Sequence, residues 1–177
     1  MKRRRRVTAA ELMAELAKDP EYLAMREEQE RRMAAFVAEF ADEEALISKE
    51  AATVGYRITS VWDFVNSDPH PVLEREFVGP YDRAYPMLVR HLRLEHHSRV
   101  REGVIRALTV RDGGELVWRA LLDEFDRETD AELKWVLANA LRTAMPYRLR
   151  RKRPDIAQVR KAGVLRSTTS PARKREG

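Results

Sequence analysis

The stretch "RVREGVIRAL", residues 99 to 108, lies over "ELKWVLANAL", residues 132 to 141, at an offset of 33 residues. Val100 falls on Leu133, Val104 on Leu137, Ala107 on Ala140 and Leu108 on Leu141, while the basic Arg101 and Lys134 also coincide. Apolar residues recurring at three- and four-residue steps define one face of a helix. The same offset brings "AYPMLVRHL" at 84 to 92 over "VWRALLDEF" at 117 to 125, matching Leu88 with Leu121, Val89 with Leu122 and Leu92 with Phe125. Each half of the repeat is thus two amphipathic helices about a polar turn, "EHHS" in the first copy and "ETDA" in the second. One such pair cannot bury its apolar faces alone, so the two copies are expected to stack.

Outward from the repeat, the helical signals continue. Thr8 and Glu11 have capping-box spacing, which predicts a short helix over about residues 9 to 18. Asp19-Pro20-Glu21 combines an N-cap, a proline at the first helical position and a negative charge near the positive end of the helix dipole. Nothing inside the next stretch breaks a helix before Gly55, so the pattern predicts one long helix from Pro20 to Val54. Met33, Phe36, Val37, Phe40, Ile47, Ala51 and Val54 form its apolar stripe, and "YLAMREEQERR" before them reads as a solvated face. Ser60 is placed to cap a short helix through "VWDFVN" that buries Val61, Trp62 and Val65 or Phe64. Prolines 69, 71 and 80 then impose a loop. No segment alternates long enough to be a strand, and the fold class is all-α, with N-terminal helices packed on a short repeat stack.

The pattern resembles the short bacterial HEAT-type repeats, in which a leucine-rich first helix is followed by a polar turn and a second helix of the form "VRxxxxxAL". Here those parts are "PMLVRHL", "EHHS" and "RVREGVIRAL", and the resemblance covers about residues 81 to 145. The second copy departs from it with Leu133-Lys134 and with Trp135 where a charge is common. The expected organisation is a basic extension at 1 to 7, a helical domain at 8 to 146 with repeats at 81 to 112 and 113 to 146, and a basic, largely disordered tail at 147 to 177. Within that tail, "DIAQVRKA" at 155 to 162 is expected to form one short helix, capped by Asp155 and ended by Gly163.

The balance of +5 belongs to the ends. Residues 2 to 6 carry five positive charges, and residues 147 to 177 carry eleven positive against two negative. Between them stand 18 Lys or Arg against 27 Asp or Glu, so the domain itself is acidic and repels phosphate. Arg3, Arg4, Arg5 and Arg6, with Arg148, Arg150, Arg151, Lys152 and Arg153, are candidates for weak nucleic-acid or anionic-lipid contact through the tails. No cysteine is present, which removes disulfides and thiol chemistry and fits a cytoplasmic location. Glu11 and Glu15 interrupt any signal-peptide core after "MKRRRR", and no apolar run reaches the roughly 20 residues of a membrane span.

Candidate chemistry is sparse. His70, His91, His96 and His97 lack the i,i+4 spacing of a helical metal site, and the pair His96-His97 reads as a solvated turn in which His97 or Ser98 caps the helix from Arg99, serine being the better cap. Gly113-Gly114 reads as the connection between repeats rather than a phosphate loop. Asp123 and Glu124 read as solvated charges. Trp118, Trp135 and Asp123 supply the residue types of a HEAT-like DNA repair glycosylase, an enzyme alternative that the acidic domain disfavours. The leading expectation is a noncatalytic protein-interaction module without cofactor, binding an unidentified protein partner. Its surface is the second-helix face, with Arg101, Ile105 and Arg106 from one repeat and Lys134, Trp135 and Asn139 from the next.

Overall fold

The computed structural model describes residues 8 to 67 and 78 to 159, and all regular structure among these residues is helical. The expected proline loop around residues 69 and 71 lies mostly outside them. The chain divides into two compact units with the boundary between Ala41 and Asp42.

The first unit contains α1 (Ala9–Leu16) and α2 (Pro20–Ala38). The Thr8 hydroxyl accepts from the Glu11 amide at 3.2 Å, and the Thr8 amide donates to the Glu11 carboxylate at 2.9 Å, which completes the capping box. Asp19 accepts from the Glu21 amide at 2.9 Å at the start of α2. The exposed face of α2 is laced by ion pairs of Arg26 with Glu30 and of Arg31 and Arg32 with Glu28. Met33, Phe36 and Val37, expected in a core stripe, are exposed.

The single long helix is overturned. It breaks at Glu39 and Phe40, whose amides turn back three residues to the carbonyls of Phe36 and Val37. A new helix, α3 (Ala41–Thr53), starts there with Asp42, Glu43 and Glu44 in its first turn, where the helix dipole favours negative charge. α3 closes as the glycine signal requires. Gly55 adopts φ +94°, and the amides of Tyr56 and Gly55 cap the carbonyls of Ala51 and Ala52.

The second unit continues through α4 (Trp62–Val65), a 3-10 turn (Asp82–Ala84), α5 (Tyr85–Leu92), α6 (Ser98–Ala107), α7 (Gly114–Arg127) and α8 (Ala131–Ala144). α5 pairs with α6, and α7 with α8; across the pairs, α5 packs on α7 and α6 on α8. Most of the positions matched at the 33-residue offset form this core, while Leu122 and Leu133 are half-buried. Leu88 and Leu121, Val104 and Leu137, Ala107 and Ala140, and Leu108 and Leu141 are all fully buried. α4 packs on the outer side of α6, extending the second-helix layer by one element. Gly103 makes that approach feasible, because a Cβ there would stand 2.4 Å from Val61 Cγ1. Val61 and Phe64 are the residues that α4 and its entry bury, whereas Trp62 and Val65 stay half-buried.

The tail also differs from expectation. Residues 147 to 159 form α9 (Tyr147–Arg150) and α10 (Pro154–Gln158), and α10 packs on α8 with Ile156 fully buried. α10 has no side-chain cap from Asp155 and ends before Gly163, which lies outside the described residues. The second-helix layer therefore runs α4, α6, α8, α10, with α5 and α7 behind it. Four aromatic rings, Tyr56, Phe64, Tyr81 and Tyr85, chain together at centroid spacings of 5.0 to 5.7 Å beside the first repeat.

Candidate functional site

The second-helix layer presents a smaller open edge than the periodicity predicts. Ile105, expected on the surface, is fully buried, as is Ala138. α6 is enclosed by α4, α5 and α8, and a helix with three neighbours buries more than one stripe. Arg101 is committed to the fold as well, since its guanidinium lies 2.9 Å from both Glu124 and Glu128, two buried carboxylates. Glu124 is thus no solvated charge. Glu128 also accepts the amides of Thr129 and Asp130 at 2.8 Å, so the bridge locks the α7–α8 turn to the preceding repeat.

The other expected residues remain at the edge. Arg106 pairs with Glu102 at 2.7 Å, Lys134 donates to the Glu128 carbonyl at 2.9 Å, and Asn139 accepts from Arg142 at 2.8 Å. Trp135 is half-buried on α8. Trp62, which sequence reasoning assigned to the core, joins them on the same layer. The Arg99 guanidinium sits 3.6 Å above its ring centroid, Arg106 stands at 6.0 Å, and the buried Trp62 indole N–H has no hydrogen-bond partner among the described residues. Of the glycosylase-type residues, Trp118 and Asp123 lie on α7 and Trp135 on α8, which belong to different layers.

The histidine turn is not a solvated bend. His91 is fully buried on α5, and the His96 side chain is 4% exposed. His91 Nδ1 faces His96 Nε2 at 3.1 Å; His91 Nε2 meets Glu50 at 3.0 Å and His96 Nδ1 meets Glu43 at 2.8 Å. The amide of His97 donates to Glu43 at 2.9 Å, and Arg90 also donates to Glu50. Glu43 and Glu50 stand seven residues apart, two turns along one face of α3, and together they hold both ends of the histidine pair.

Proton counting defines the chemistry of this chain of groups. If both rings donated outward to the carboxylates alone, two lone pairs would face each other at 3.1 Å. A proton on one of the two facing nitrogens removes that repulsion and makes the contact a hydrogen bond. Burial pushes His91 below its ordinary value, Glu50 pulls it back up by less, and His96 and Arg90 push it down further. Burial raises Glu50, but the hydrogen bonds from Arg90 and His91 outweigh that and hold its carboxyl below the usual range. His97, rather than Ser98, caps α6, with Nδ1 accepting from the Arg99 amide at 3.2 Å. Among the described residues no group of three or more His, Asp or Glu is arranged to hold a metal ion.

The basic candidates divide. Arg3 to Arg6 lie outside the described residues. Arg148, Arg151 and Lys152 are exposed, Arg153 pairs with Asp126 and Asp155, and Arg150 donates to the Arg142 carbonyl. Two adjoining depressions of about 440 and 430 Å³ share Arg142, Tyr147 and Arg150 in their walls. No helix among the described residues is long and apolar enough to cross a membrane. Comparison of the chain with protein-family models, with curated proteins and with solved structures found no match.

Proposed function

We propose that this protein is a noncatalytic protein-interaction module whose second-helix layer receives an acidic partner. The observation that supports this reading is the occurrence of Trp62 and Trp135 in that layer, both half-buried, with Arg99, Arg106 and Lys134 around them. A half-buried tryptophan needs little ordering on binding and offers a large apolar contact, and interface energy concentrates in Trp and Arg anchors. The proposed surface keeps Arg106, Lys134, Trp135 and Asn139 from the sequence reading, adds Trp62 and Arg99, and drops Ile105 and Arg101.

A photo-crosslinking amino acid at Asn139 or Arg106, compared with one at Leu116 or Arg119 on α7, tests the proposal in cells. The same adduct from both second-helix positions, suppressed by Trp62→Ala or Trp135→Ala, is the expected outcome. Adducts from the α7 positions alone would place the interface on the opposite layer.

A further inference from the structure

We infer that the C-terminal cap of the stack, centred on Tyr147, is a binding site for single-stranded nucleic acid. This site is separate from the Trp62–Trp135 edge and stands on different observations.

The cap is a built structure. Arg142, on α8, donates one Nη to Asn139 at 2.8 Å and the other to the carbonyls of Ile156 and Ala157 at 3.1 and 3.3 Å. Arg150 in turn donates to the Arg142 carbonyl. Both guanidinium groups are thereby held by neutral oxygens, which fix their positions, and neither forms an ion pair among the described residues. Arg111 and Arg151 stand in the same walls and form no ion pair among the described residues. No carboxylate among the described residues lines either depression. Four cations around adjoining hollows, on a domain that is acidic elsewhere, focus potential for a polyanion.

Tyr147 decides which polyanion. Its ring is 67% exposed, follows Pro146 directly and is flanked by the Arg150 guanidinium 5.5 Å from the centroid. An exposed aromatic face beside fixed cations stacks a base while the adjacent phosphates meet arginine. A duplex offers no free base face to such a ring, so the arrangement selects a single strand.

The test uses the full chain and a fluorescein-labelled 12-nucleotide oligo(dT) or oligo(U), with anisotropy measured from 50 to 200 mM salt. Tyr147→Ala should weaken binding roughly tenfold at fixed salt, and Tyr147→Trp should restore it. Arg111→Ser with Arg151→Ser should lower the salt slope by about 1.4, since each phosphate contact on a single strand contributes about 0.7. Arg111, Tyr147 and Arg151 are all exposed, and thermal melts check that each variant folds. Absence of oligonucleotide binding at 50 mM salt overturns the inference. So does equal binding by wild type, Tyr147→Ala and the double Arg variant, or loss only when Arg160, Lys161, Arg166, Arg173, Lys174 and Arg175 are changed to Ser. Stronger, Tyr147-dependent binding to phosphatidylserine vesicles than to the oligonucleotide would reassign the site to a lipid surface.

Discussion

Replacing His91 by Gln should flatten the acid limb of the protein's stability curve. Gln keeps a hydrogen-bonding side chain of similar reach but cannot titrate. In the wild type, a further proton on His91 would place a charge beside Arg90 and His96 in a site where His91 has no solvent exposure. The groups facing His91 are Glu50 from α3, Arg90 from its own helix, and His96, whose far nitrogen is held by Glu43. The folded value of His91 lies below the ordinary imidazole value of 6.5, so in the window beneath 6.5 the unfolded chain binds a proton that the folded chain refuses. Stability is then fully present above 6.5 and is lost as pH falls, with a limiting slope of about 1.4 kcal/mol per pH unit. Glu50 acts in the same direction lower down. Its folded value is depressed from 4.5, so its contribution is present above 4.5 and is lost as pH falls through the folded value.

Urea unfolding at half-unit steps from pH 6.5 to 4.5, wild type against His91→Gln, measures the difference. The variant should start about 1 to 3 kcal/mol less stable, because His96 and Glu50 lose well-placed partners. The two curves should converge as pH falls. Parallel curves would refute the reasoning, since they would mean that His91 takes its proton as readily folded as unfolded.

Three further outcomes follow from packing. Arg101→Ala leaves the buried Glu128 carboxylate without its cation and Glu124 paired with Arg127, and should cost about 3 to 5 kcal/mol in denaturant unfolding, whereas removing Glu102 from its half-buried pair with Arg106 should cost under about 1 kcal/mol. Gly103→Ala drives a methyl into Val61 and should destabilise by about 1 to 3 kcal/mol, with partial recovery in Gly103→Ala combined with Val61→Ala; no loss would mean that α4 yields freely. Ile156→Ala should cost about 2 to 5 kcal/mol in urea unfolding, and a change under about 0.5 kcal/mol would show that α10 contributes nothing to the folded stack.

What the chain discloses without coordinates depends on how far apart the interacting residues lie. The caps at Thr8, Asp19 and Gly55 were legible because the donor and acceptor are within a few residues of each other. The repeat was legible because a 33-residue offset preserves the buried stripes. The break at Phe40 left a readable signal that periodicity overrode, namely Asp42, Glu43 and Glu44 together, three acids of the kind that begin a helix. Ile105 could not be placed from its own helix, because what buries it is the enclosure of α6 by three other elements.

The histidine chain was lost for the same reason, across 41 residues to Glu50 and 53 to Glu43. A trace of it exists in the spacing. Two carboxylates seven apart on one helix face a histidine pair five apart across a turn, and both pairs span about one long edge of contact. The basic C-terminal segment misled in a different way. Composition reads Arg150 and Arg153 as tail charge available to a nucleic acid or a lipid, but arginine has five donors in a fixed fork and can be satisfied by carbonyls as well as by carboxylates. Arg142 does this at the end of α8, tying down the carbonyls of Ile156 and Ala157 while Ile156 fills the core. A charge-rich stretch therefore folds here because its charges serve as backbone caps, and the guanidinium groups so used keep the positive potential that makes the Tyr147 cap a place for an anion.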